Sequence, residues 1–267
     1  MVRATTIGIV CCAAFTINGT CVADEIALSF ATPGVYGRTI SFSYDSTGSH
    51  TDPQLSGNTT AGRFNWTVMS EGPVAFGGHV FNNGDQFSTF ALELTGFITP
   101  GETYMYGSVA VADMPGTDGS SALGSFRAGL LQNLFDNHYA QAVDGNKLQA
   151  AAFQVAVWEI GYEDRLAELG SGGGPPLSEL LVADGGTFIV GDDIAVVNLA
   201  NVWLSELTGT VLDSGLVGFN SGTAETVAPG QIMMPLVVPL PAPFWLAGMG
   251  LVAVVFGRKK LRRLATG

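Results

Sequence analysis

Few side chains of this 267-residue chain have the types and spacing of a catalytic site. Glu159, Glu163 and Asp164 are close enough in sequence to form a pair of carboxylates for general acid–base chemistry. They fall at the end of a predicted helix, where charged side chains usually face solvent, so we interpret them as surface charge. The GxSxG, HExxH and P-loop motifs do not occur in the sequence. We expect no enzyme activity, with a secreted hydrolase of unrecognised site as the alternative.

Metal-ligand spacing is also missing from the sequence. His50, His79 and His138 are scattered along the chain, so we expect them to be solvated or structural. Some aspartates in glycine-rich loops have a composition that could bind calcium, namely Asp113, Asp118, Asp184, Asp192 and Asp193. Their spacing matches neither an EF-hand nor an RTX repeat. We predict no metal site and no cofactor.

The cysteines and charges are unevenly distributed. Cys11, Cys12 and Cys21 all precede Asp24, so a chain cleaved there has no thiol. Arg3 and five basic residues near the C-terminus account for six of the 11 Lys and Arg residues, which leaves five. All 23 acidic residues lie between Asp24 and Glu225, so this body has a net charge of 5 − 23 = −18. Such a surface repels nucleic acid, and we predict no nucleic-acid partner.

The N-terminus has the pattern of an export signal. Arg3 is followed by an apolar run over residues 5–17 and then by Cys21-Val22-Ala23, a small-x-small cleavage site. We predict that residues 1–23 are a signal peptide read by the Sec machinery and cleaved between Ala23 and Asp24. A lipoprotein anchored through Cys21 is disfavoured, because no aliphatic residue stands three positions before it.

The body, residues 24–237, is long enough for one domain with a sizeable core. Period-two alternation predicts strands over residues 39–44, 63–68, 87–94 and 103–112, and closing strands are expected within 210–219 and 231–237. Helical periodicity predicts helices near residues 121–143, 147–162 and 196–207. The second helix is apolar nearly all round, so we expect it to be buried, with Gln154 as its polar exception.

The last thirty residues, 238–267, have three parts. Val238-Pro239-Leu240-Pro241-Ala242-Pro243 is a proline-rich lead, and an uncharged apolar run follows it. We predict a transmembrane helix over residues 243–257, short for a bilayer, because Pro243 suits the first position of a helix. The basic tail, residues 258–263, keeps the C-terminus on the cytoplasmic side. Its charged members are Arg258, Lys259, Lys260, Arg262 and Arg263.

We therefore predict an α+β fold, an antiparallel β-sandwich or barrel with an inserted helical segment. An N-terminal signal helix and a C-terminal single transmembrane helix complete the precursor.

The tail resembles the PEP-CTERM sorting signal of exported proteins of Gram-negative bacteria. The resemblance implies that an exosortase recognises the signal and cleaves near it, after the precursor has been anchored in the inner membrane. The protein would then reach the cell surface or the extracellular matrix, where the resemblance suggests exopolysaccharide or matrix as a partner. An ordinary single-pass membrane anchor is the alternative.

A second resemblance covers about residues 61–207, which are similar to thioester-domain-like ectodomains of surface proteins. In that family a strand cysteine and a helix glutamine form an internal thioester, which bonds covalently to an amine. Gln154 matches the glutamine, Trp158 matches a tryptophan of the same helix, and Ala91 stands where the cysteine is expected. Without a thiol there is no thioester, so we expect Gln154 to be a buried amide bonded to neighbouring backbone. The resemblance implies an adhesion or matrix role without covalent chemistry.

Overall fold

A computed structural model describes most of the body of the chain. The described residues are 25–46, 53–94, 96, 98–116, 122–163, 180, 182, 186–208, 215–221 and 229–234. They all belong to a compact unit that ends at Met234. The predicted signal peptide with its Ala23–Asp24 cleavage site and the predicted tail, residues 238–267, lie outside the described residues.

In the described part of the chain, ten strands form an eight-stranded antiparallel sheet and a small hairpin. The strands are β1 (Glu25–Phe30), β2 (Tyr36–Tyr44), β3 (Leu55–Val68), β4 (Val74–Phe76), β5 (His79–Phe81), β6 (Gln86–Ala91), β7 (Thr103–Ala110), β8 (Phe188–Val190), β9 (Val217–Asn220) and β10 (Gln231–Met233). The large sheet has the order β1-β7-β9-β10-β6-β3-β2-β8, and β1 also pairs with β3. That extra pairing closes six strands into an antiparallel barrel, so the predicted sandwich or barrel is a closed barrel.

The longest strand, β3, connects the barrel to a three-stranded extension. Its first part pairs with β2, from Leu55↔Tyr44 to Arg63↔Tyr36, and β8 lies on the other side of β2. Its last residues lie in the barrel and pair with both β6 and β1. The change of partners follows the pair Gly37↔Gly62. A Cβ on Gly37 would overlap the Ala61 carbonyl oxygen, and one on Gly62 would overlap the Tyr36 carbonyl oxygen.

Three helices cover one side of the sheet. They are α1 (Ser125–Asp144), α2 (Lys147–Tyr162) and α3 (Ile194–Ser205). The sequence places α2 over the same residues, and a capping box starts it: the Asn146 side chain accepts from the backbone of Leu148 and Gln149, and the Gln149 side chain accepts from the Asn146 N–H. Every residue of α2 from Ala150 to Tyr162 is buried. The helix packs against β2, β3, α1 and α3 and is the centre of the helical layer.

Two clusters of apolar side chains form the core. One fills the barrel and includes Ile26, Leu28, Phe30, Trp66, Phe87, Tyr106 and Phe219. The other lies between the barrel wall and the helices and includes Ile40, Phe90, Leu131, Phe135, Phe153, Trp158 and Trp203. Strand β6 serves both clusters, because alternate side chains of a strand point to opposite faces: Phe87 points into the barrel and Phe90 points to the helices.

Several boundaries differ from the sequence prediction. Strand β6 ends at Ala91 instead of Leu94, and β7 ends at Ala110 because a 3-10 turn, Val111–Asp113, follows it. Strand β1 was not predicted. Strands β4, β5 and β8 were also not predicted, since three residues are too few to show alternation. The helix expected near 121–143 starts at Ser125.

Within the described part of the chain, no helix combines the length and apolar character that crossing a membrane requires.

Candidate functional site

The structure brings together Ala91 and Gln154, the two residues that the thioester resemblance singles out. The Ala91 N–H donates to Gln154 Oε1 at 2.9 Å, and Gln154 Nε2 donates to the Ala91 carbonyl oxygen at 2.7 Å. Both residues are buried, with 1% and 0% of their surface exposed. Each polar atom of the amide therefore has a main-chain partner, as a peptide group of a neighbouring strand would have.

Ala91 needs the Gln154 amide as a partner because the β3–β6 ladder ends before it. The β3–β6 pairing stops at Phe64↔Thr89, two residues before Ala91. On its other side β6 continues along β10, where Gln231 pairs with Ala91 and the Leu92 N–H donates to the Gly230 carbonyl oxygen at 2.8 Å. The Ala91 N–H and C=O would otherwise be buried without partners, which costs about 1–3 kcal/mol for each group. The side chain of Gln154 replaces the missing strand.

This arrangement has no nucleophile. Ala91 ends in a methyl group that packs with the barrel cluster, and the sequence after Cys21 contains no cysteine. The Gln154 amide is held at both ends by neutral main-chain groups, which neither activate nor displace its nitrogen. Trp158, one turn further along α2, is 2% exposed and lies 6.4 Å from Phe188 between ring centroids. The contact between Trp158 and Phe188 can stabilise the packing of α2 against β8 of the extension.

A chain of hydrogen-bonded polar side chains crosses the barrel interior. One of its members, Gln231, pairs with Ala91 in the β6–β10 ladder. Trp66 Nε1 donates to Thr89 Oγ1 at 2.8 Å, and the Thr89 hydroxyl donates to Gln231 Oε1 at 2.7 Å. Gln231 Nε2 reaches the Pro229 carbonyl oxygen at 3.3 Å. Sequence reasoning missed this chain. The one available signal was Thr89 at an inward-facing position of the strand predicted over residues 87–94.

A shallow cleft lies between the end of β6 and the C-terminal end of α2. It is open to solvent and is lined by Leu92, Glu93, Pro115, Gly116, Leu123, Gly161 and Tyr162. Burial raises the pKa of Glu93, and the hydrogen bond from Gly230 opposes this rise. Burial also raises the pKa of Tyr162 to about 12, while its hydroxyl accepts from the Leu94 N–H at 2.9 Å. Glu93 is the one carboxyl group among these lining residues, so they do not provide the carboxylate pair of a hydrolase.

The interpretation of Glu159 and Glu163 as solvated surface charge is wrong. They are 0% and 2% exposed, because the end of α2 packs beneath β8 and the residue before it. Glu163 Oε2 accepts from the Thr187 N–H at 3.0 Å, and the Glu163 carbonyl oxygen accepts from Arg127 at 2.9 Å. Asp164, the third member of the predicted cluster, lies outside the described residues.

The histidines within the described chain do not meet. His138 is 5% exposed and stacks on Trp203 with ring centroids 4.9 Å apart. Its Nε2 lies 3.1 Å from Glu206 Oε2. Burial lowers the pKa of His138, and the Glu206 carboxylate opposes that change. His79 contacts the Phe81 ring, and His50 lies outside the described residues.

The loop aspartates that suggested calcium are used in other ways. Asp192 accepts from the Ser41 N–H at 2.7 Å, which lowers its pKa. Asp193 pairs with Arg38 at 2.8 Å and caps α3. Its burial favours a higher pKa, but these hydrogen bonds outweigh burial and lower it. Within the described residues, no three His, Cys, Asp or Glu side chains are grouped as a metal site. Asp118 and Asp184 lie outside that part.

The predicted sorting residues, Val238 to Pro243 and Arg258 to Arg263, also lie outside the described residues. No family model, no curated protein and no solved structure matches this chain. The two family resemblances therefore rest on the residues named for them.

Proposed function

We propose that this chain is an exported cell-surface or extracellular-matrix protein, sorted by an exosortase, with an adhesion or matrix role that forms no covalent bond. The sorting part of the proposal rests on the sequence: the proline-rich lead from Val238, the short apolar run and the basic tail. The signal pattern that ends at Ala23 supports export. The body charge of −18 is compatible with a soluble exterior.

The pairing of Gln154 with Ala91 carries the non-covalent part of the proposal. Its two hydrogen bonds, 2.9 and 2.7 Å, occupy the amide at the place where the thioester resemblance puts a reactive bond. A barrel with a buried helix beside it supports the same likeness. The barrel and its helices then serve as a stable scaffold, and the residues on its surface bind the ligand.

The secreted hydrolase is a weaker candidate. Its best support is the raised pKa of Glu93 in the cleft beside Tyr162. General acid–base hydrolysis of a glycoside requires a second carboxyl group on the opposite side of the bond to be broken. The described lining of the cleft offers no such group.

Cell fractionation tests the sorting proposal. A peptide tag is placed after Leu264, and the body and the tag are followed separately in cells with and without the exosortase. We expect the body at the surface without the tag when the enzyme is present, and both together in the inner membrane when it is absent. A tag that stays attached to a surface-displayed body would instead show an ordinary single-pass anchor.

A further inference from the structure

Within the described residues, two basic side chains of this acidic body, Arg63 and Lys147, form neither an ion pair nor a hydrogen bond. Of the basic residues outside the two ends of the chain, Arg38 pairs with Asp193, and Arg127 donates to the carbonyl oxygens of Gly161 and Glu163. Arg63 and Lys147 form no ion pair within the described residues. In a body with 23 acids, two cations without a carboxylate are unexpected.

Both cations meet at one aromatic ring. Arg63 Cζ lies 4.4 Å from the centroid of the Tyr36 ring, and Lys147 Nζ lies 5.7 Å from it. The fold fixes this meeting, because Tyr36 and Arg63 are directly opposite in the β2–β3 ladder and Lys147 is the first residue of α2. Cation–π contacts hold the two charges close together. The result is a local concentration of positive charge.

Hydrogen-bond donors without acceptors lie at the same place. Arg63 Nε is buried and has no hydrogen-bond partner among the described residues. Asn65 follows two positions later on the same face of β3, and its Oδ1 accepts from the Ser88 hydroxyl at 2.8 Å. The NH₂ group of that amide has no acceptor in the described part of the chain. Arg63 Nε is a buried donor without an acceptor, and the Asn65 amide can also donate. Together they indicate that an acceptor is missing from this place.

The surroundings define the edge of this site. The Tyr139 hydroxyl donates to the Ser88 carbonyl oxygen at 3.1 Å. Burial raises the pKa of Tyr139 to about 12, the positive charge of Arg63 opposes the rise, and Asp144 adds to it. The guanidinium is therefore within electrostatic range of this hydroxyl. Asp144 is exposed and makes no ion pair with either cation in the described structure.

We propose that Arg63, Lys147 and Asn65 bind a single uronate sugar within an otherwise neutral glycan. A planar guanidinium matches a carboxylate, the ammonium adds charge, and the amide can donate to a neighbouring sugar hydroxyl. The body charge of −18 opposes a densely charged polymer, which favours an isolated carboxylate between neutral sugars. This inference rests on the proposed surface or matrix function and names the chemical class of its ligand.

Calorimetric titration of the full chain, purified in mild detergent, tests the site. The probe is a trisaccharide of two glucose units ended by glucuronate. We expect Arg63→Gln and Lys147→Gln each to weaken binding by about tenfold or more, since each removes a charge-assisted contact. The matched control is Arg38→Gln, whose guanidinium is already paired with Asp193, and its affinity should be unchanged.

Two further ligands separate the sources of binding. The neutral trisaccharide of glucose should bind at least about tenfold more weakly than the glucuronate form, because the paired charge is lost. Acetate should also bind more weakly, because it lacks the neighbouring hydroxyls. Lys147 is exposed, so Lys147→Gln is expected to fold even if Arg63→Gln does not.

Three results would overturn the site: equal binding of the neutral trisaccharide, an unchanged affinity of Lys147→Gln, or no binding at all. If acetate binds as well as the trisaccharide, the site binds anions in general and the uronate proposal is wrong. Each of these results leaves the location of the body in fractionated cells unchanged. Failure of this inference is therefore distinguishable from failure of the proposed function.

Discussion

At the scale of single residues, Gln154 takes the place of a peptide group. A glutamine side chain ends in the same amide as the main chain, so it can pair with a strand from which the neighbouring strand has departed. Ala91 presents one donor and one acceptor, and the amide of Gln154 satisfies both. Gln154 is therefore a polar residue at the centre of an apolar helix for a structural reason.

Replacement of Gln154 by leucine tests this structural role. Gln154→Leu keeps a similar volume but leaves the N–H and C=O of Ala91 buried without partners. We expect the free energy of unfolding to fall by about 2–6 kcal/mol, from two groups at about 1–3 kcal/mol each. Urea unfolding measures the change. Gln141→Leu, at an exposed position of α1, is the matched control and should stay within about 0.5 kcal/mol of the parent protein.

A glutamate at the same position should make stability depend on pH. In Gln154→Glu, only the protonated carboxyl can both donate to the Ala91 carbonyl and accept from its N–H. Burial and this hydrogen bonding therefore raise the pKa of the new carboxyl in the folded state above its unfolded value of about 4.3. A raised folded pKa gives stability that is present below the unfolded pKa and is lost as pH rises through the folded pKa.

Unfolding curves at several pH values check this expectation. The stability deficit of Gln154→Glu relative to the parent protein should be smallest near pH 4 and should grow towards neutral pH. A deficit that is constant over this range would mean that the side chain does not pair with Ala91.

Sequence reasoning found some of these residues and misread others. Ala91 and Gln154 came from a family resemblance, since no property of alanine marks it as the partner of a glutamine 63 positions away. Glu159 and Glu163 were misread because a carboxylate at a helix end is usually solvated. The Trp66–Thr89–Gln231 chain was missed because its members are distant in sequence and meet only when β6 lies between β3 and β10.

At the scale of elements, the long strand β3 decides where the barrel ends and the extension begins. Gly37 and Gly62 allow its backbone to approach β2 more closely than any side chain permits. The strand can then turn from β2 towards β6 and β1. Ala91 lies past the last β3–β6 pair, Phe64↔Thr89, so on that side Gln154 takes the place of the strand.

Substitution of Gly37 tests the close approach. In Gly37→Ala the new methyl group overlaps the Ala61 carbonyl oxygen, and the surrounding backbone must shift. We expect a loss of about 3 kcal/mol or more in the free energy of unfolding, as for a severely overpacked site. Gly72→Ala is the control, because a Cβ at Gly72 meets nothing within 4 Å. Equal stabilities of the two variants would refute the role given to the glycine pair.

Prediction of the elements from sequence depended on their length and their caps. Helix α2 was placed correctly because its apolar run is long, and the capping box of Asn146 and Gln149 fixes the residue at which it begins. Strands β4, β5 and β8 are three residues long and depend on tertiary pairing, so their sequences contain no periodic signal. Closure of the barrel depends on the β1–β3 pairing, which no local pattern indicates.

At the scale of the whole molecule, we propose that the chain is an acidic scaffold followed by a tail that is removed on sorting. The barrel and its helical layer provide two apolar cores and bury the residues that could have formed a reactive site. The proposed route, export followed by exosortase sorting, assigns the basic residues at the C-terminus to the precursor alone. The central claim is that the surface form is processed at both ends and is chemically inert at Gln154.

The intact mass of the protein released from the cell surface, with fragmentation to read both termini, tests this claim most directly. We predict a chain that begins at Asp24, lacks the basic tail from Arg258 to Arg263, and has its full mass at Gln154. A surface form that retains the tail would contradict the sorting. A mass lower by one ammonia at Gln154 would contradict the inert amide.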